Sequence, residues 1–177
     1  MSEQVTEPAR IEIEGTDGLA LRQFVLDDAP RIFELINYDR AHLSQFGDDT
    51  AGKYKSVDDV RESIENPKSL LRQRFGIWIE GTMVGSINLD PTKKRDGTEV
   101  GYWVGAEYIG HGYAARALET IIPFAFEDRP EKSHLFARVA IGNKASRQTL
   151  EKCGFRYSGP DDSNWYFYLE RPAVPVS

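Results

Sequence analysis

The chain has 177 residues, 40% hydrophobic and 28% charged, with a formal net charge of −6. That length suits one domain of roughly 150 residues around a single core, and the composition excludes a disordered or collagen-like chain. An acidic chain without a basic stripe is not a general nucleic-acid binder, the single Cys153 excludes an intrachain disulfide, and His42, His111 and His134 lack zinc-ligand spacing.

No apolar run approaches the roughly 20 residues that span a bilayer, and the first ten residues lack the apolar stretch of a secretory signal. The expectation is a cytoplasmic protein with no membrane partner. Met1 to Ala9 reads as a polar tail, and Pro172 and Pro175 bracket an exit segment. Leu19 to Phe24 reads as a strand. Asp27 or Asp28 is expected to cap a helix in which Ala29, Ile32, Phe33 and Ile36 recur at helical spacing, with Pro30 in its first turn. A polar stretch from Asn37 to Asp49 follows, then a second helix capped by Ser56 and interrupted or ended by Pro67.

From Phe75 the period becomes two. Phe75, Ile77 and Ile79 share a strand face, Gly81 with Thr82 marks a turn into Met83 to Leu89, and a second turn over Lys93 to Gly97 leads into Thr98 to Val104, which predicts a three-stranded meander. The remainder alternates: a helix from about Gly112 that Pro123 should kink or shorten, a strand from His134 to Ile141, a helix from Lys144 to Cys153, and a closing pair around Phe155 to Tyr157 and Trp165 to Leu169. Asn143 supplies the N-cap of the later helix and Gly154 its left-handed stop. The fold class is α+β, a mixed, mostly antiparallel sheet of six to seven strands with about four helices, in one domain over residues 10–171 between two tails.

Chemistry concentrates in Glu107 to Arg116, EYIGHGYAAR, between a strand and a helix. Gly110 and Gly112 let the backbone approach a ligand, and no Ser, Thr, Asp or Asn caps the helix, so its first-turn amides are open to a phosphate or pyrophosphate. The bland alternative is a glycine turn that redirects the chain. GHGYAA also satisfies a dinucleotide pattern, but its strand belongs to a meander and too few residues follow Gly112 for a doubly wound fold.

A second segment, GNKASRQTLEKCGF from Gly142 to Phe155, completes an ordered set with LALRQFVLDDAP, DRAHL, MVGSINL, TEVGYWVGAEYIGHGYAARAL and FAFE. Over about Leu19 to Leu169 the sequence resembles the GNAT superfamily of acyl-CoA-dependent N-acetyltransferases, in particular its branch of ribosomal-protein-alanine N-acetyltransferases. The resemblance implies acetyl-CoA as co-substrate, without metal. It implies that the amides of Ile109, Gly110, His111, Gly112, Tyr113 and Ala114 cradle the CoA pyrophosphate, although the position of Ile109 commonly carries Gln or Arg in that superfamily. It implies further that main-chain groups near Trp103 and Val104 bind the pantetheine arm as an added strand and polarise the thioester carbonyl.

Glu99 is the acid/base candidate by the same resemblance, against the alternative of a solvated strand carboxylate. Asn143 is read as a helix cap that also contacts CoA, and Ser146 as a proton donor to the thiolate or a second capping hydroxyl. Cys153 reads as core packing rather than a nucleophile, Tyr157 as a reserve acid, and Glu107 and Glu119 as surface charges. Trp165, Tyr166, Phe167 and Tyr168 read as strand packing. His42 and Phe46, with Asp48 and Asp49, are expected to line the acceptor side. The expected acceptor is a primary amine, either a protein N-terminus or a small molecule, with homodimerisation left open. Transfer of a bulkier acyl group such as succinyl, and a non-catalytic CoA sensor, are the competing readings.

Overall fold

The computed structural model describes residues 9–91 and 96–174. Most of the polar tail, part of the turn after Pro91, and Pro175 lie outside the described residues. The elements in chain order are β1 (Glu12–Glu14), β2 (Leu19–Gln23), α1 (Ala29–Tyr38), α2 (Arg40–Ser44), α3 (Thr50–Lys53), α4 (Val57–Glu65), β3 (Gln73–Ile79), β4 (Thr82–Pro91), β5 (Gly97–Val104), α5 (Tyr113–Asp128), β6 (His134–Ala140), α6 (Lys144–Lys152), β7 (Arg156–Pro160) and β8 (Asn164–Glu170). One sheet runs β1-β2-β3-β4-β5-β6-β8-β7, antiparallel throughout except for the β5–β6 pair.

The α+β class and the meander are as the sequence predicts, with more elements than its pattern resolves. The described residues hold eight strands and six α-helices. The additional strand, β1, spans only EIE at the sheet edge, too short for alternation to register, and α2 and α3 are one-turn helices, the first inside the polar stretch and the second just after it. Asp28 does not cap α1 with its side chain. Instead its carboxylate accepts the Val25 N–H at 3.0 Å and pairs with Arg10 at 2.7 Å, closing a short 3-10 turn ahead of the helix. The β3–β4 turn falls on Glu80 and Gly81, both at positive φ, which matches the twist of the flanking strands. Ser56 caps α4 as expected, accepting the Asp59 N–H while Asp59 accepts the Ser56 N–H.

Pro123 does not shorten α5, which continues to Asp128. Proline removes the hydrogen bond to the carbonyl four residues back, that of Glu119. Glu119 and Pro123 are both exposed, so water can satisfy that carbonyl. The opposite face of α5, including Ala117, Leu118, Ile121 and Ala125, is buried in the larger core cluster with Phe75, Ile77, Ile87, Leu135 and Phe167. A second cluster on the other face of the sheet joins α1, α2 and α4 to Met83, Trp78 and Trp103.

Two irregularities shape the middle of the sheet. Trp78 pairs with Met83 but Ile77 pairs with Gly85, so Val84 is an extra residue in β4, a bulge that bends the strand. Gly85 is required there, because a Cβ on it would lie 2.2 Å from the Trp103 carbonyl oxygen. Beside the bulge, β5 stays paired to β4 as far as Val104 but to β6 only over Gly97, Thr98 and Glu99. Beyond Glu99 the two parallel strands diverge and the sheet splays open.

Candidate active site

The splay leaves one edge of β5 without a strand partner. The Gly105 N–H donates to the Val84 carbonyl at 2.9 Å. In an antiparallel ladder both main-chain groups of a residue address the same neighbour, alternating along the strand. The groups of Trp103 and Gly101, like the Gly105 N–H, therefore turn to β4, the Gly105 carbonyl accepts the Tyr108 N–H at 2.9 Å, and the groups of Val104 and Tyr102 turn into the opening. Of the two positions expected to meet an extended arm, Val104 offers its N–H and C=O there, while those of Trp103 are used in the ladder.

The same strand leads into the glycine segment. A 3-10 turn over Ala106–Tyr108 ends at Ile109, Gly110 and Gly112 adopt φ of 82° and 73°, and Gly112 is the N-cap of α5 with no side-chain cap. The amides of the first helical turn, Tyr113 to Ala115, have no intrahelical acceptor by construction. Ile109, Gly110, His111 and Gly112 are exposed, with open space around Gly110 and Gly112. The His111 and Tyr113 rings stack at 5.3 Å, and Arg116 anchors the helix start by donating to the Asp17 carbonyl at 3.0 Å. These features fit a diphosphate: free N–H donors, the positive end of a 16-residue helix, and glycines at its rim.

Asn143 accepts the Ser146 N–H at 3.1 Å, as a cap of α6 should. Ser146 lies on the helix side of the splay, where the Tyr102 hydroxyl meets its Oγ at 2.9 Å and its carbonyl oxygen at 3.2 Å. Burial pushes the Tyr102 phenol above its ordinary value, so the group stays neutral. The α6 cap and Ser146 thus come together with β5.

Glu99 points to the opposite face. Its Oε1 accepts from Arg138 Nε at 2.7 Å across the β5–β6 seam, and Asp90 of β4 stands directly opposite it. The Glu99 hydrogen bond holds the Arg138 guanidinium above its ordinary range. The result is a half-buried charged cluster at the point where the strands part. Trp103 shares this face and packs against the α1–α2–α4 cluster that includes Leu43 of α2. His42 on α2 and exposed Phe46 just after it lie on this side of the sheet.

Cys153 is half-buried, its Sγ 3.5 Å from the Ala115 carbonyl, and burial pushes its thiol up to about 11. A thiol so raised is a poor nucleophile, in keeping with a packing role. Tyr157 is exposed, its ring tilted at 52° to that of Phe167 with centroids 5.5 Å apart and covered by Arg147, outside the splay. Cavities of about 510 Å³ over β6 and β8 and about 560 Å³ between β1 and α5 lie away from the cradle, which is an open edge rather than an enclosed hole.

Three functional candidates escape sequence reading: Tyr102, Arg138 and Asp39. Asp39 is buried at the α1–α2 junction and accepts the Ala106 N–H at 2.6 Å, holding the turn that opens the cradle. Alternation in TEVGYWV already puts Tyr102 and Glu99 on opposite faces; nothing local marks Arg138 or Asp39.

A splayed sheet with a free strand edge that leads to an uncapped, glycine-rimmed helix start defines a transferase that takes its group from a diphosphate-bearing carrier. Residues 19–156, more than half of the chain, match the acetyltransferase (GNAT) domain, and the chain belongs to that family of acyl-CoA-dependent N-acetyltransferases. It is 29% identical over 152 residues to YdaF of Bacillus subtilis (strain 168), a candidate ribosomal N-acetyltransferase, covering 80% of this chain and 79% of that protein. Among solved structures, RimL, a ribosomal L7/L12 alpha-N-protein acetyltransferase in complex with coenzyme A, superposes with a TM-score of 0.81 at 16% identity over 90% of this chain and 98% of its own. The ribosomal-protein-S5-alanine acetyltransferase of Vibrio fischeri superposes with a TM-score of 0.77 at 18% identity, over 92% and 97% of the two chains. These two likenesses show a common fold. Among the described residues no group of His, Cys, Asp and Glu is arranged to hold a metal, and no helix is long and apolar enough to cross a membrane.

Proposed function

We propose that the protein transfers the acetyl group of acetyl-CoA to the α-amino group of a protein N-terminus, by direct attack in a ternary complex. The observation that carries the reading is the arrangement around the splay. The free edge of β5 and the α5 cradle lie in continuity, and the Glu99 carboxylate stands on the other face at the same divergence point. A thioester lying in the opening would have its carbonyl beside the Val104 N–H and an incoming amine on the Glu99 side.

Amine chemistry favours an α-amino group. Deprotonating it at pH 7 costs about 1 kcal/mol, against nearly 5 kcal/mol for a lysine side chain. Asp90 and Glu99 attract the ammonium form, and Glu99 takes its proton directly or through one water. The amine then attacks the carbonyl, the oxyanion is held by the Val104 N–H, and Ser146 faces the departing thiolate. His42 and Phe46 contact the acceptor on the α2 side. The resemblance to ribosomal-protein acetyltransferases supports a protein acceptor.

The test is thiol release from a panel of acyl-CoAs against peptides with free N-termini, lysine side chains and polyamines. Turnover of acetyl-CoA with α-amino peptides above the other amines is the expected result. Preference for succinyl-CoA, or tight CoA binding with no turnover on any amine, would replace the proposal with a different acyltransferase or a CoA sensor.

A further inference from the structure

We infer that Tyr102 is a positioning residue that turns the Ser146 hydroxyl toward the CoA sulfur; this rests on the reading of Ser146 given above. The Tyr102 oxygen lies within hydrogen-bond reach of both the Ser146 Oγ, at 2.9 Å, and the Ser146 carbonyl oxygen, at 3.2 Å. A phenol has one proton, so two arrangements compete. If the phenol donates to the carbonyl, the serine proton is drawn back to the phenol oxygen and points away from the opening. If the phenol donates to the serine Oγ, the serine proton is released for a third acceptor.

Only the second arrangement presents a donor to sulfur. A thiolate in the splay selects it, because a charged acceptor gains more from the serine proton than the neutral phenol oxygen does. The phenol keeps its proton throughout, since burial disfavours the tyrosinate. Tyr102 is thus no acid; it fixes the rotor of Ser146 and polarises it. A serine hydroxyl alone, one turn inside α6, could instead swing back to a carbonyl of its own helix. The tyrosine comes from β5 and the serine from α6, so the pair also ties the two sides of the opening together beneath the arm.

The readouts are kcat with acetyl-CoA and an α-amino peptide, and the titration midpoint of the thiol of bound CoA followed by thiolate absorbance, which needs no acceptor. Tyr102→Phe keeps the ring and removes the oxygen. It is expected to lower kcat roughly 3- to 10-fold, the range of one uncharged hydrogen bond, with the KM for acetyl-CoA within about twofold. It should raise the bound thiol's midpoint by about 0.5 to 1 unit, because a hydrogen bond to the charged form lowers a pKa. In a Ser146→Ala background the same change should cost almost nothing further. An unmoved midpoint and kcat in Tyr102→Phe, or an equal loss with and without Ser146, overturns the inference while Ser146 stands. If Ser146→Ala itself leaves kcat and midpoint unchanged, the reading of Ser146 falls and takes the inference with it. A melting transition of Tyr102→Phe close to that of the parent protein keeps a kinetic loss from being a folding loss.

Discussion

Glu99 is held between charges of opposite sign, Asp90 across the β4–β5 ladder and Arg138 at 2.7 Å on β6. One oxygen is committed to the guanidinium, which fixes the carboxylate plane against the strand and turns it to the face where an amine would arrive. Glu99→Gln keeps the shape and one acceptor oxygen but cannot take a proton. Its kcat is expected to fall about 100-fold at pH 7, the lower end of what a positioned base contributes. The loss should shrink above about pH 9, because an α-amino group with a pKa near 8 is then already neutral. A pH–rate profile measures this, and a uniform deficit across the range would assign Glu99 to binding. Cys153 makes the opposite case. With its thiol pushed up to about 11, about one molecule in 10⁴ is thiolate at pH 7, so iodoacetamide should react slowly and about tenfold faster per pH unit until that midpoint. Rapid alkylation at neutral pH would show that the side chain leaves its contact with the Ala115 carbonyl.

Among the elements, the β7–β8 hairpin is closed by a carboxylate. Asp161 accepts the N–H groups of Ser163 and Asn164 and the Tyr166 hydroxyl, the last at 2.6 Å, and these bonds depress it to about 2. A depressed carboxylate contributes stability that is fully present above its unfolded value near 4 and is lost as the pH falls through its folded value of about 2. Asp161→Ala should therefore unfold at lower denaturant than the parent at pH 6, and the gap should narrow as the pH falls through about 2 toward about 1; a gap as wide at about pH 1 as at pH 6 would mean the turn is held by something other than charge. Punctuation of this local kind is what a sequence states most clearly. Asn143 and Gly154 mark both ends of α6 because a cap and a left-handed stop depend on neighbouring residues alone. The Glu99–Arg138, Tyr102–Ser146 and Asp39–Ala106 contacts join residues 39, 44 and 67 positions apart, and no spacing rule reaches that far. For the same reason the glycines of the cradle are legible as an open helix start. The splay itself is not, because it depends on where β6 stops following β5.

At the scale of the molecule, the sheet is two antiparallel blocks, β1 to β5 and β6 to β8, joined within the sheet by three residue pairs. The helix α5 packs on the first block and shares one core with Leu135, Ala137 and Val139 of β6, so the blocks are held from one side while their upper ends stay apart. An extended pantetheine arm would restore the missing strand, an edge-pairing mode in which main-chain hydrogen bonds supply the affinity. The register then predicts which amides respond. The Trp103 N–H is already bonded to β4 and should exchange slowly with or without coenzyme, while the N–H groups of Tyr102 and Val104 face the opening and should exchange fast in the free protein. Saturating CoA should slow Val104 most and leave Trp103 little changed. Binding to the native state alone also raises stability by mass action, about 2.7 kcal/mol at a concentration 100 times Kd. Amide exchange followed residue by residue separates the two effects. A rise in protection spread evenly over both blocks would report global stabilisation only, whereas a gain concentrated at Val104 and along Gly110 to Ala114 would mark the coenzyme lying in the splay with its diphosphate on α5.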